Sequence, residues 1–214
     1  GGGAEILSDN VKPKLTKLYP KAKSSDWFDV HREAHRAGLR STATMMYGHL
    51  ETDADIIEHL EATRALQDET GGFTAFIPWT FQPGHTPMTD DRPDQLDQVP
   101  VSAYKGSIEY LRVLAISRLA LNNIDNFQSS WVTQGKKIGQ MSLFWGANDL
   151  GSVMMEENVV SATGTDFIMP RPMLVRFIEE AGFKAVPRYQ DYSPVRDDLD
   201  WYCGCAVCLD RRGE

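Results

Sequence analysis

Ser41-Thr-Ala-Thr-Met-Met-Tyr-Gly-His-Leu-Glu-Thr52 reads as a buried strand that stops in a cluster of polar, chemically competent groups. Small and β-branched residues carry it inward, and Met45 and Met46 fill the space beyond. Tyr47, Gly48, His49 and Glu51 occupy the point where strand becomes loop. Asp55, three residues after Thr52, completes a capping box that opens the next helix. Strand, polar lip and helix in succession is how one unit of an α/β barrel presents catalytic residues. A lone unit of this kind is more often an ordinary turn, but here the pattern recurs along the chain.

Before it, 1–7 reads as the end of a strand with a glycine-rich turn, and 26–37 as a helix closed by Gly38. After it, 53–69 reads as a long helix with Ile56, Ile57, Leu60, Ala62 and Leu66 inward, ended by Gly71-Gly72. Residues 73–79 form a second buried strand, and 86–103 the longest irregular segment. The spacing then predicts a helix over 104–121 with Ile108, Leu111, Leu114, Ala115 and Leu119 as its inner stripe. Strands follow at 127–132 and 141–145, with a short helix at 135–139 between them. A last helix spans 170–181, and 184–189 is an edge strand. Alternation of this kind means a largely parallel sheet covered by helices. A doubly wound sheet satisfies it too, but polar residues at every strand end favour a TIM-type (β/α)8 barrel.

The chain has 214 residues, 42% hydrophobic and 24% charged, which suits one globular domain or a large part of one. A net charge of -8 with no basic stripe argues against a nucleic-acid partner. No window approaches the ~18 apolar residues of a membrane span, and a cytoplasmic location is the expectation. The opening Gly-Gly-Gly-Ala-Glu-Ile-Leu reads as mid-domain sequence, so the N-terminal part of the fold is expected to be absent. Residues 1–190 then form a partial barrel and 191–214 an irregular tail. The tail carries all three cysteines, Cys203, Cys205 and Cys208. No fourth ligand stands nearby, so a mobile, metal-free tail is expected and no metal ligand is assigned.

The strand ends supply Glu5; Tyr47, His49 and Glu51; Trp79, Gln82 and His85; Gln128, Ser130 and Trp131; and Asn148 with Asp149. The set is rich in hydrogen-bonding and aromatic groups and poor in nucleophiles, with no G-x-S-x-G or H-E-x-x-H motif. Gly2 and Gly3 would let backbone approach a ligand, with Glu5 placed to accept from a diol. Trp79 and Trp131 could stack on a ring, and His49 could move a proton near neutral pH. His31, His35 and His59 lie on helices and read as surface or packing residues. Together these residues describe a site for a large polar small molecule without naming the reaction.

Residues 1–9, 41–52, 66–79 (Leu-Gln-Asp-Glu-Thr-Gly-Gly-Phe-Thr-Ala-Phe-Ile-Pro-Trp), 130–135, 146–151 and 157–160 resemble the cyclic dehypoxanthine futalosine synthases. These are radical S-adenosylmethionine (SAM) enzymes of menaquinone biosynthesis. Aminofutalosine synthase and the F420-cofactor synthase subunits share the glycine-rich opening. The resemblance implies the C-terminal half of a radical SAM barrel, with SAM and a 4Fe-4S cluster held by a C-x-x-x-C-x-x-C loop that this chain lacks. It also implies a nucleoside substrate, a reducing partner such as flavodoxin or ferredoxin, and an inactive fragment in isolation. Under it, Tyr47, His49, Glu51 and Asp149 are the catalytic candidates, and Gly2, Gly3 and Glu5 touch SAM. Trp79, Gln82, Gln128, Ser130, Trp131 and Asn148 line the substrate. A non-catalytic binding module that kept the pocket is the alternative from another class.

Overall fold

The computed structural model describes residues 3–15, 22–82, 106–153 and 169–195. The irregular 86–103 segment, Gly2, His85 and the three cysteines lie outside them. In chain order the elements are α1 (Lys12–Leu15), α2 (Ser24–Arg36), β1 (Ser41–Tyr47), α3 (Asp53–Thr70) and β2 (Phe73–Thr80). They continue as α4 (Ser107–Ala120), β3 (Asn126–Phe127), α5 (Trp131–Gln134), α6 (Lys136–Met141), a 3-10 turn at Ser142–Phe144 and α7 (Arg171–Glu180). The strands form one parallel sheet in the order β1-β2-β3. Parallel neighbours need long crossovers, and α3 and α4 supply them.

The expected cap on α3 is present. Thr52 accepts from the Asp55 amide while Asp55 accepts from the Thr52 amide. At the other end Gly71 takes φ 61, the left-handed turn that stops the helix. Thr44 lies beside Ile77, Met45 beside Pro78, Met46 beside Trp79 and Tyr47 beside Thr80. Side chains alternate across a strand, so this register sorts two faces. Ala43, Met45, Tyr47, Phe76 and Phe127 enter the core with Ile56, Leu60 and Leu66 of α3 and Tyr110, Leu111 and Leu114 of α4. Thr44, Met46, Ile77 and Trp79 are only half-buried on the other face.

Three expected strands are corrected. The 127–132 strand ends early because the Tyr110 hydroxyl accepts the Ser130 amide and the Ser130 carbonyl then starts α5. Residues 141–145 are helical, with the Trp145 amide donating to the Ser142 carbonyl. Short apolar runs fit either element. The place beside β3 goes instead to Asn148 and Asp149, through one parallel bridge between Gln128 and Asp149. The 184–189 edge strand reduces to one antiparallel bridge, Arg188 to Pro194. On α4 the inner stripe is Tyr110, Leu111, Val113, Leu114 and Ser117. Ile108 and Leu119, expected inside, are exposed.

The helical histidines pack. Thr70 gives its hydroxyl proton to the Leu66 carbonyl, so it accepts from His35 Nδ1 at 2.7 Å. His35 Nε2 then accepts from Ser41 Oγ at 2.8 Å. This ring pins α2 to the end of α3 and the start of β1. A Cβ built on Gly72 falls 2.1 Å from His35 Cγ. Gly72→Ala should therefore displace the ring and cost about 1–3 kcal/mol in urea denaturation.

His59 Nδ1 accepts the Leu7 amide at 3.0 Å, which ties the first segment to α3. Burial lowers its pKa from 6.5 to about 3. The unfolded chain binds a proton as pH falls through its ordinary value, and the folded chain does not. Stability should thus fall by up to about 1.4 kcal/mol per pH unit between about pH 6.5 and pH 3. His59→Asn keeps an acceptor for the Leu7 amide and should flatten that slope in urea melts. Parallel slopes for the two proteins would refute it.

Candidate functional site

The chain passes from β1 into α3 through a turn closed by one carboxylate. Glu51 Oε1 accepts the Gly48 amide at 2.6 Å, and its Oε2 accepts the His49 amide at 2.9 Å. Gly48 makes the bend at φ 91, where a side chain would be strained. The turn folds the imidazole back, leaving His49 Nδ1 3.1 Å from Glu51 Oε2 with both side chains essentially buried. The Leu50 amide donates to Nδ1 at 2.7 Å, and Nε2 stands 3.2 Å from the Met46 carbonyl. With Nδ1 accepting, the ring proton sits on Nε2 and points at that carbonyl. A second proton, on Nδ1, would meet Glu51 Oε2 instead of the Leu50 amide.

Glu5 lies beside this turn because its carbonyl accepts the Met46 amide at 2.7 Å along the free edge of β1. It is a non-glycine residue at φ 46, and its carboxylate lies against Gly3. Trp79 stands next to Met46 on the half-covered face. Gln82 Nε2 donates to the carbonyl and hydroxyl of Thr80, and Gln134 Nε2 donates to the same hydroxyl. The carboxyl ends of β1 and β2 therefore bring together Glu5, His49, Glu51, Trp79 and Gln82. Thr80 and Gln134 join them without having been expected. Thr80 is one residue past the expected strand end, and Gln134 ends a helix that begins inside the strand expected at 127–132.

Most other expected site residues are occupied elsewhere. The Tyr47 phenol lies on the core side, its pKa raised well above the usual value by burial and then by Tyr110, Glu109 and Glu51. Trp131 sits in the first turn of α5, buried with Leu150, Met169 and Leu174, and its indole donates to the Leu150 carbonyl at 2.7 Å. That ring packs and offers no open face for stacking. Ser130 stands at the N-terminal end of α5, its hydroxyl bonded to that of Thr133. Asn148 uses its side chain as backbone, accepting the Phe127 amide and donating to the Asp125 carbonyl. Asp149 is held by Arg188 and Tyr192. Gln128 carries its amide toward Gly151, where an added Cβ would lie 2.9 Å from Nε2.

A cleft of about 640 Å³ opens at the opposite end of the strands, bordered by Arg40, Phe73, Thr74, Asn126 and Tyr192. It is remote from the Glu51 turn, and the turn is the better candidate because open parallel sheets bind ligands at their carboxyl ends. Among the described residues no group of three His, Cys, Asp or Glu side chains is placed to hold a metal. No helix among them is long and apolar enough to cross a membrane.

Fold and site define an α/β protein with a polar cluster at the carboxyl ends of parallel strands. The family pattern of the CofH/MqnC C-terminal region matches residues 70–200, and the chain belongs to that family. It is 40% identical over 207 residues to cyclic dehypoxanthine futalosine synthase of Streptomyces coelicolor, covering 94% of this chain and 49% of that protein. It is 42% identical over 185 residues to 5-amino-6-(D-ribitylamino)uracil--L-tyrosine 4-hydroxyphenyl transferase of Methanosphaerula palustris, covering 85% and 48%. Aminodeoxyfutalosine synthase of Thermus thermophilus is 36% identical over 198 residues, covering 92% and 51%. The chain spans about half the length of these relatives.

Glu51→Ala removes the acceptor for two amides at once and should destabilise by about 1–3 kcal/mol in thermal unfolding. Glu51→Gln keeps one carbonyl acceptor and should recover part of that loss.

Proposed function

We propose that this chain is the C-terminal half of a radical SAM enzyme that cyclises dehypoxanthine futalosine in menaquinone biosynthesis. One observation carries the choice of reaction. Likeness to the Streptomyces synthase is 40% over 94% of the chain, against 36% over 92% for the Thermus aminodeoxyfutalosine synthase. A second reading, the 4-hydroxyphenyl transferase reaction, is favoured by 42% identity over the shorter 85%.

The reading implies SAM with a 4Fe-4S cluster, which together supply the radical that starts the reaction. The described residues offer the cluster no ligand set, so it is not assigned to them. Glu5 and Gly3, on the free edge of β1, suit the ribose or methionyl part of SAM. Trp79 on the half-covered face and the amides of Gln82 and Gln128 suit a nucleoside. His49 with Glu51 holds the proton that moves. Tyr47, Ser130, Trp131, Asn148 and Asp149 act behind that wall and fix its shape.

The test uses the full-length protein, reconstituted with its cluster under anaerobic reduction. Dehypoxanthine futalosine should give the cyclised nucleoside with release of 5'-deoxyadenosine. Conversion of an enolpyruvyl benzoate, or of ribitylaminouracil with tyrosine, in its place would assign a sister reaction. In the active enzyme His49→Phe should lower kcat by about 100-fold or more, the usual contribution of a proton-transfer group.

A further inference from the structure

Asp149 has the residue type of a catalytic acid or base, yet its surroundings describe a different task. Oδ2 accepts from Arg188 Nη2 at 2.5 Å and from the Tyr192 hydroxyl at 2.8 Å. Oδ1 accepts the Gly151 amide at 2.9 Å. The Arg188 guanidinium lies over the Tyr192 ring, 3.9 Å from its centroid, and Arg188 Nη1 donates to the Tyr189 carbonyl at 3.0 Å. The carboxylate side chain is 9% exposed. A base needs a lone pair open to substrate; here three donors already converge on this one.

Two of the three donors, Arg188 and Tyr192, come from a small hairpin. The Val195 amide bonds the Pro187 carbonyl, the Tyr189 amide bonds the Ser193 carbonyl, and Arg188 bridges Pro194. Asp191 caps its turn by accepting from the amide and hydroxyl of Ser193. Tyr192 sits at φ 67, a left-handed conformation that strains a non-glycine residue. Glycine would suit that position better if the turn were all that mattered. A tyrosine there supplies the ring under Arg188 and the hydroxyl on Asp149, and these contacts offset the strain.

Asp149 connects the hairpin to the sheet. Its backbone pairs with Gln128, and its carbonyl accepts the Ser129 amide at 2.8 Å. Its Oδ1 holds the Gly151 amide, and Gly151, at φ 70, is the residue against which the Gln128 amide lies.

We propose that Arg188 and Tyr192 make Asp149 a positioning residue, whose gripped carboxylate locks hairpin 187–195 to the end of β3 and fixes the Gln128 side chain for the ligand. Burial and then the Asp149 carboxylate push the Tyr192 phenol upward, consistent with a hydroxyl that donates and stays protonated. The kinetic part of this inference rests on the proposed function, whereas the structural part does not.

Amide hydrogen exchange of the whole chain tests the lock, with the β1 and α3 amides as the internal control for folding. Arg188→Leu and Asp149→Ala should each speed exchange across 187–195 by about 10-fold or more while the control stays protected. Asp149→Asn keeps one acceptor oxygen but turns an amide NH2 toward the remaining donors, so it should restore protection only in part, as should Arg188→Lys, which lacks the planar fork. Unchanged hairpin exchange in Arg188→Leu overturns the proposal. In the full-length enzyme, Arg188→Leu should raise KM for dehypoxanthine futalosine by about 10-fold with a smaller effect on kcat, and Asp149→Asn should rescue in part the KM lost in Asp149→Ala. Loss of kcat by about 100-fold in Asp149→Asn with the hairpin still protected would show a base and overturn the proposal. If the wild-type enzyme leaves that nucleoside unchanged, the functional reading fails and exchange alone still decides the lock.

Discussion

The register of β1 against β2, with Tyr47 beside Thr80 and Met46 beside Trp79, is the constraint from which the rest of the molecule follows. A slip of one residue would turn every side chain to the opposite face. Ala43, Met45 and Tyr47 would leave the core and Thr44 and Met46 would enter it, burying the Thr44 hydroxyl and exposing the Tyr47 ring. The β1–β2 pairing has a local guard at its entrance. Gln67 accepts the Phe73 amide with Oε1 and donates through Nε2 to the Phe73 and Asn123 carbonyls, so the end of α3 fixes where β2 begins. With that end fixed, the Glu51 turn can only form at the other.

Buried polar groups between sheet and helices do this work more than apolar burial does. Apolar contact tolerates sliding, whereas a buried amide without its acceptor loses roughly 1–3 kcal/mol. Asn123 donates to the Arg64 carbonyl and to Asp68, and Arg64 donates to the Ala120 carbonyl, so α3 and α4 are pinned at their last turns. The Tyr110 hydroxyl, accepting the Ser130 amide, carries the same fixing from α4 to the end of β3. Each bond crosses between elements distant in sequence. Each therefore sets the position of one element on another and not just local conformation.

Legibility in the sequence followed the range of the forces. The cap at Thr52 and Asp55, the stop at Gly71 and the strands at β1 and β2 depend on near neighbours, and the sequence showed them. So did the likeness to the family, and with it the polar turn at 47–51. Strand ends further on were misread because hydroxyls, not hydrophobicity, decide them: Ser130 is taken by Tyr110, and Ser142 donates to the Gly139 carbonyl. Ile108 and Leu119 looked inward by spacing, but Tyr110 and Ser117 take the inner face of α4 and rotate them outward. Trp131 and Asp149 had the right chemistry and the wrong neighbours. A sequence without the fold cannot show that Leu150, Arg188 and Tyr192 meet them.

The two most informative histidines make the same point from the side of function. Each accepts a backbone amide at Nδ1, from Leu7 for His59 and from Leu50 for His49, so both rings carry their proton on Nε2. They differ in what else is within reach. Around His59 the Phe76 ring stands edge-to-face, and a second proton would have to go on Nδ1, where it would face the Leu7 amide, itself a donor. Around His49 a carboxylate stands 3.1 Å from the nitrogen that would receive it. The first ring can only be a strut, because its one available state is the neutral one. The second could exchange the Leu50 amide for Glu51 without leaving its place, so the turn would change its bonding while keeping its shape.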